Sequence, residues 1–161
     1  LPVLMNERRH LGHVARRLVA SGHLGGPVVI VGHSAGSAAG SWIAPLLIKD
    51  GVDVRGLVFV DGNDSPNHLI EKAWPEIRGL GIRAVMAPPS PCNRQGRLTD
   101  FLRERGESNV VVIPGAGHGD LEMSGAVVYR RACGDASDRS AWHAVQEATL
   151  DAIDSLNRGD R

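Results

Sequence analysis

Val28-Val29-Ile30-Val31-Gly32-His33-Ser34-Ala35-Gly36 joins an unbroken β-branched run to a serine set among glycines. A run that is apolar at every position, not at alternate ones, is the pattern of a strand buried on both faces in a parallel sheet. Ala35 to Lys49 follows, rich in Ala, Gly and Ser at its start, and reads as a helix that Gly51 stops. Strand, Gly-x-Ser-x-Gly turn and helix, in that order, are the context in which such a serine becomes a nucleophile. The turn strains the serine backbone and pushes the hydroxyl into the open. It also sets the serine at the positive end of the helix, where a developing oxyanion is stabilised. This reading expects a side chain at Gly32 or Gly36 to strike neighbouring backbone, and the Ala35 N–H to be an oxyanion donor. No Gly-Lys-Ser/Thr follows, which removes a Walker phosphate loop.

The same alternation continues on either side. Residues 4 to 20 read as an amphipathic helix, with Leu4, Leu11, Val14 and Leu18 inward and Arg8, Arg9, Arg16 and Arg17 toward water. Gly56-Leu57-Val58-Phe59-Val60-Asp61 is a second buried strand that ends in a carboxylate, followed by a loop from Gly62 to Pro66. A short helix over 68–77, kinked at Pro75, precedes a third strand, Ile82 to Ala87. Pro88, Pro89 and Pro91 force an extended loop before a helix over 97–105. Val110-Val111-Val112-Ile113 is the fourth strand, and the last helix spans 138–156 with Trp142, Val145, Ala148, Ala152 and Ile153 on one face. Four strands alternating with helices predict an α/β domain with a parallel sheet of about four strands flanked by helices. Ligand sites in such sheets lie beyond the carboxyl ends of the strands. The polar residues falling there are Ser34, Asp61, Asn93 and His118.

Composition narrows the function classes. The 161 residues fit one domain, and 42% apolar content is enough for a core. Eighteen basic residues balance eighteen acidic ones, which argues against nucleic acid or an anionic membrane as partner. No run approaches the ~18 apolar residues of a membrane-spanning helix. Two cysteines do not build a disulfide scaffold. The chain begins at Leu1 within a helical pattern, which suggests a fragment or a chain processed upstream.

A nucleophilic serine needs a base, and histidine is the usual one near neutral pH. Of the seven histidines, His118 directly follows the last strand, in Gly115-Ala116-Gly117-His118-Gly119. The elbow, the β/α alternation and this late histidine together resemble the α/β-hydrolase family, over nearly the whole chain but matching only the family's C-terminal two thirds. The resemblance implies a partial α/β-hydrolase fold lacking the N-terminal strands. It also implies a Ser–acid–His order, with Ser34 as nucleophile and His118 as base on a small-molecule acyl substrate, and no metal or cofactor. His33, inside the elbow, packs the turn in that family and is a poor base.

The acid is less determined. Many family members carry it after the seventh strand, but Ala87-Pro88-Pro89-Ser90-Pro91-Cys92-Asn93-Arg94 holds no carboxylate. Others take it from the end of the sixth strand, here Asp61, with Asp64 as the alternative acid. Asp120 is too close in the chain to reach the His118 Nδ1 easily, and Asn93 could orient the ring weakly but not neutralise it. His10 and His13 are spaced as a helical metal pair, but nothing in register completes the set, and a solvated face is the plainer reading.

In the family, the second oxyanion donor and the strand flanking the serine strand both lie upstream of the match. The 28–31 edge is therefore expected to be covered by upstream sequence, a second chain or the N-terminal helix. A non-catalytic domain serving in binding or assembly is the competing reading. Cys92 and Cys133 are either bridged across two loops or two free thiols. Trp42, Trp74 and Trp142 read as packing residues. Leu69, Ile70 and Trp74 read as packing more readily than as an acyl pocket.

Overall fold

The computed structural model describes residues 8–64, 68–122, 133 and 139–160. Four parallel strands stand side by side in chain order: β1 (Val28–His33), β2 (Val54–Val60), β3 (Gly81–Met86) and β4 (Val110–Val112). Helices connect them: α2 (Ala35–Lys49), α3 (Leu69–Ile77) and α4 (Arg97–Glu104). The helix α1 (Arg8–Ala20) precedes β1, a 3-10 turn (His118–Glu122) follows β4, and α5 (Arg139–Arg158) closes the described chain. The α/β class and the parallel four-stranded sheet flanked by helices match the sequence expectation. The 3-10 turn had no counterpart in it.

Crossovers of one hand that always advance to the next strand deliver their helices to the same face of the sheet. The larger core lies on that face, where Leu57, Phe59, Ile82, Ala84 and Met86 meet Ala38, Leu47, Ile70, Ile77 and Leu102. The alternate strand positions Val58, Val60 and Val85 point the other way, onto Ala141, Val145, Ala152 and Leu156 of α5. Continuous apolar patterning over residues 56–60 of β2 is thus the mark of two covered faces, and β3 is covered likewise although Arg83 interrupts its run.

β1 departs from that pattern. It is one edge of the sheet, most of its residues are half-buried, and Val31 is 45% exposed. α1 packs on α2. The inward stripe of α1 is Leu11 and Ala15 with Val19 beside the core, while Val14 and Leu18 face outward. An i, i+4 row of this kind, with a small residue at its centre, lets two helices approach closely. Leu4 lies outside the described residues. On α5 the buried row is Ala141, Val145, Ala152 and Leu156, so Ala141 takes the place expected for Trp142. Leu69 and Ile70 are buried in the larger core, and Trp74 packs against it edge-on to Phe101. Among the described residues no helix is long and apolar enough to cross a membrane.

Candidate active site

The chain leaves the carboxyl ends of all four strands on one side of the sheet, so four loops converge there. Ser34 fills the turn between β1 and α2 with φ 52° and ψ −123°, a region that costs a non-glycine residue about 1–3 kcal/mol. Neighbouring backbone holds it in place. Its N–H donates to Val60 O (3.1 Å), and its carbonyl accepts from Ser37 N and Asn63 N (each 3.1 Å). A Cβ at Gly32 would stand 2.6 Å from the carbonyl carbon and oxygen of Gly36 and from Ser37 N. The turn can close this tightly because position 32 has no side chain. The same requirement was expected at Gly36, but a Cβ there meets no described atom within 4 Å. Ala35 is the first residue of α2, so its N–H is among the four that have no acceptor within the helix.

Asp61 follows β2, is 0% exposed and has φ 38°. Its N–H donates to Val85 O (2.7 Å), which extends the β2–β3 ladder by one bond and fixes where the side chain starts. Oδ1 accepts from Ala87 N and from Asn93 Nδ2, each at 3.0 Å. Oδ2 lies 2.5 Å from His118 Nδ1. His118, 4% exposed, presents Nε2 to Ser34 Oγ at 3.0 Å. A carboxylate accepts, so the ring proton belongs on Nδ1, and Nε2 is left to accept from the serine hydroxyl. Ser34, His118 and Asp61 therefore form a triad-like line, its acid end buried and its serine end half-exposed.

Other candidates have other partners. Asp64 accepts from Ile70 N (2.9 Å) and Glu71 N (3.3 Å) and so caps α3, away from His118. Asp120 accepts from Gly117 N (2.7 Å) and tightens the loop ahead of His118. Asn93 touches Asp61 rather than the imidazole, which corrects the expectation that it could orient the ring directly. His33 Nε2 lies 3.2 Å from His118 O, and the two rings sit 4.9 Å apart, so His33 packs against His118. His10 and His13 are both exposed.

Asp64, His68 and Glu71 place potential metal-ligating atoms within 4.8 Å of one another. Both Asp64 oxygens are engaged by helix N–H groups, and Arg97 Nη2 lies 2.9 Å from both His68 Nδ1 and Glu71 Oε1. Burial raises the pKa of the Glu71 carboxyl, but hydrogen bonds from His68 and Arg97 outweigh it and hold the group below its ordinary value. A cation would have to displace that guanidinium, so the donor set suits an ion pair better than a metal.

Cys92 and Cys133 form a disulfide, with Cα atoms 5.3 Å apart. It ties the loop after β3 to the chain beyond His118. Closing a 41-residue separation lowers the entropy of the unfolded chain by an amount worth about 4 kcal/mol in the chain-entropy model. Reduction, or a Cys92→Ser/Cys133→Ser pair, is expected to lower unfolding stability by about 2–4 kcal/mol in urea titrations. An unchanged midpoint would show that the bridge constrains little.

Comparison of the chain with protein-family models, with curated proteins and with solved structures found no match.

Proposed function

We propose that this chain is a serine hydrolase of the α/β-hydrolase type, acting on a carboxylic ester or a related acyl bond through an acyl-enzyme. The observation that carries the reading is the unbroken line Ser34 Oγ–His118 Nε2 (3.0 Å) and His118 Nδ1–Asp61 Oδ2 (2.5 Å), on a serine held in a strained strand-to-helix turn. Ser34 Oγ attacks the acyl carbonyl carbon as its proton passes to His118 Nε2. The Ala35 N–H donates to the oxyanion that forms, at the positive end of α2. The intermediate collapses, and His118 returns the proton to the departing alkoxide. Water then attacks the acyl-Ser34 ester with His118 again as base, and His118 gives that proton to the departing Ser34 Oγ as the acid is released. Asp61 holds the ring tautomer and stabilises the imidazolium. Within this reading residues 1–161 act as one α/β-hydrolase-like domain. The chemistry uses side chains and a backbone N–H, with no metal or cofactor in any step.

A second reading, a non-catalytic domain in binding or assembly, draws support from β1, an edge strand with Val31 exposed. One experiment separates the two. The chain is treated with a fluorophosphonate, and its intact mass is read beside a Ser34→Ala control. A single adduct on the unsubstituted chain alone supports the hydrolase. No adduct, from a chain shown to be folded by circular dichroism, supports the binding or assembly domain.

A further inference from the structure

Asp61 is held by more than its own backbone. Its Oδ1 accepts two hydrogen bonds, from Ala87 N and from Asn93 Nδ2, and these fix the plane of the carboxylate so that Oδ2 faces His118. The Asn93 side chain, 1% exposed, has one consistent orientation. Its Oδ1 accepts from Ser90 N (2.8 Å) and Gly96 N (3.0 Å), and its Nδ2 also donates to Pro88 O (2.9 Å). Turning the amide over would set N–H against N–H on one side and oxygen against carboxylate on the other. The amide is therefore locked with its N–H toward Asp61.

The loop that carries it is strained. Arg94, Gln95 and Gly96 lie in succession at φ 55°, 58° and 75°, two of them non-glycine residues in the left-handed region. The bonds accepted by the Asn93 oxygen help to hold that backbone, together with backbone bonds such as Gln95 N donating to Ser90 O at 2.8 Å and Gly96 N to Asn93 O at 3.2 Å. Cys92, the residue before Asn93, is fixed from outside by its disulfide, and its carbonyl accepts from Asn63 Nδ2 at 3.0 Å. Strain maintained around a buried donor, with that donor aimed at a carboxylate, is the mark of a group that is being positioned.

We infer that Asn93 is a positioning residue of the acid: its amide orients Asp61, and through it His118. The inference rests on the proposed roles of those two residues. It gives the loop after β3, which has no carboxylate of its own, a part in the same site.

The test uses two variants. Asn93→Ala removes every bond of the amide. Asn93→Asp keeps the oxygen that Ser90 N and Gly96 N reach and replaces the N–H facing Asp61 with oxygen. Both are expected to slow fluorophosphonate labelling of Ser34 by about tenfold to a hundredfold, the range spanned by one hydrogen bond to a charged group. Both should also move the low-field proton resonance of His118 Nδ1–H. Should Asn93 merely shape its loop, Asn93→Asp would label at the unsubstituted rate with that resonance in place, and the inference would be overturned.

A second measurement does not depend on labelling. In the ¹⁵N-labelled chain, His118→Gln should shift the Asn93 side-chain amide resonances, because Asp61 lies between them. Invariant amide resonances would equally overturn the inference. A folded chain that never labels would defeat the proposed hydrolase. The amide resonances would still report whether Asn93 is coupled to the Asp61–His118 pair.

Discussion

Asp61→Asn is expected to slow labelling of Ser34 by about 10⁴-fold while leaving the fold intact, and the hydrogen bonds say why. The Oδ1 position of Asp61 is met by two donors, Ala87 N and Asn93 Nδ2. An asparagine placed there satisfies both with its carbonyl oxygen, which turns its NH₂ toward His118 Nδ1. Two donors cannot face each other, so the imidazole must carry its proton on Nε2. In that tautomer it cannot accept from Ser34 Oγ. The loss thus arises from a reversed tautomer in an otherwise preserved geometry. Labelling rates checked against circular dichroism measure it. The contrast is Asp64→Ala, which removes the acceptors of Ile70 N and Glu71 N at the start of α3. That variant should cost stability of about 1 kcal/mol and keep labelling within a few-fold. Equal losses in the two variants would remove Asp61 from the acid role.

The same bonds explain how a carboxylate is accommodated in a fully buried position. An isolated buried charge is costly, and the cost falls when hydrogen bonds satisfy both oxygens. Asp61 has three donors, supplied by the β3 exit, the loop after it and the β4 exit. Two come from the carboxyl end of β3 and one from that of β4, so the parallel sheet is itself what assembles the surroundings of Asp61. Little water reaches the Asp61–His118 pair, which makes its electrostatic interaction stronger than it would be at the surface.

Much of this was legible in the sequence, and the rest was not for identifiable reasons. β2 and β3 are covered on both faces; the unbroken run over residues 56–60 reported the place of β2 directly, whereas Arg83 interrupts the run of β3 and weakens its signal. β1 has the same composition but stands at an edge, because composition records what a strand can bury and not which neighbours are there. Ser34 and His118 were legible because each sits in a glycine-marked segment beyond the carboxyl end of a strand. Asp61 against Asp64 was open: three residues apart in a polar loop, they differ only in where the backbone points them. The structure brings Asp61 to His118 and Asp64 to the start of α3. The target of Asn93 was not legible at all, since its amide reaches a carboxylate 32 positions away. On α1, apolar spacing suggested Leu11, Val14 and Leu18, but helix packing selected Leu11 and Ala15, because the small residue allows the closer approach.

Gly32→Ala and Gly36→Ala should separate sharply, although the motif treats the two glycines alike. At position 32 the new methyl would lie 2.6 Å from three backbone atoms of Gly36 and Ser37, and no flexible side chain is there to move aside. Relief has to come from the turn itself, by drawing the β1 exit and the first turn of α2 apart. That movement would also lengthen the bond from Ser37 Oγ to Gly32 O (2.6 Å) and the one from Ser34 N to Val60 O. A stability loss above ~3 kcal/mol is expected, at or beyond the upper end for overpacking. Any folded fraction should label at least 10²-fold more slowly, since a shift of about 1 Å in Ser34 Oγ is enough for that. At position 36 the methyl meets no described atom within 4 Å, on the first turn of a helix, where alanine is the better helix former by up to ~1 kcal/mol. Gly36→Ala should therefore match or exceed the unsubstituted chain in a urea melt. If Gly32→Ala melted alongside it, the tight closure of the turn around Ser34 would be wrong, and with it the geometric basis for an activated serine.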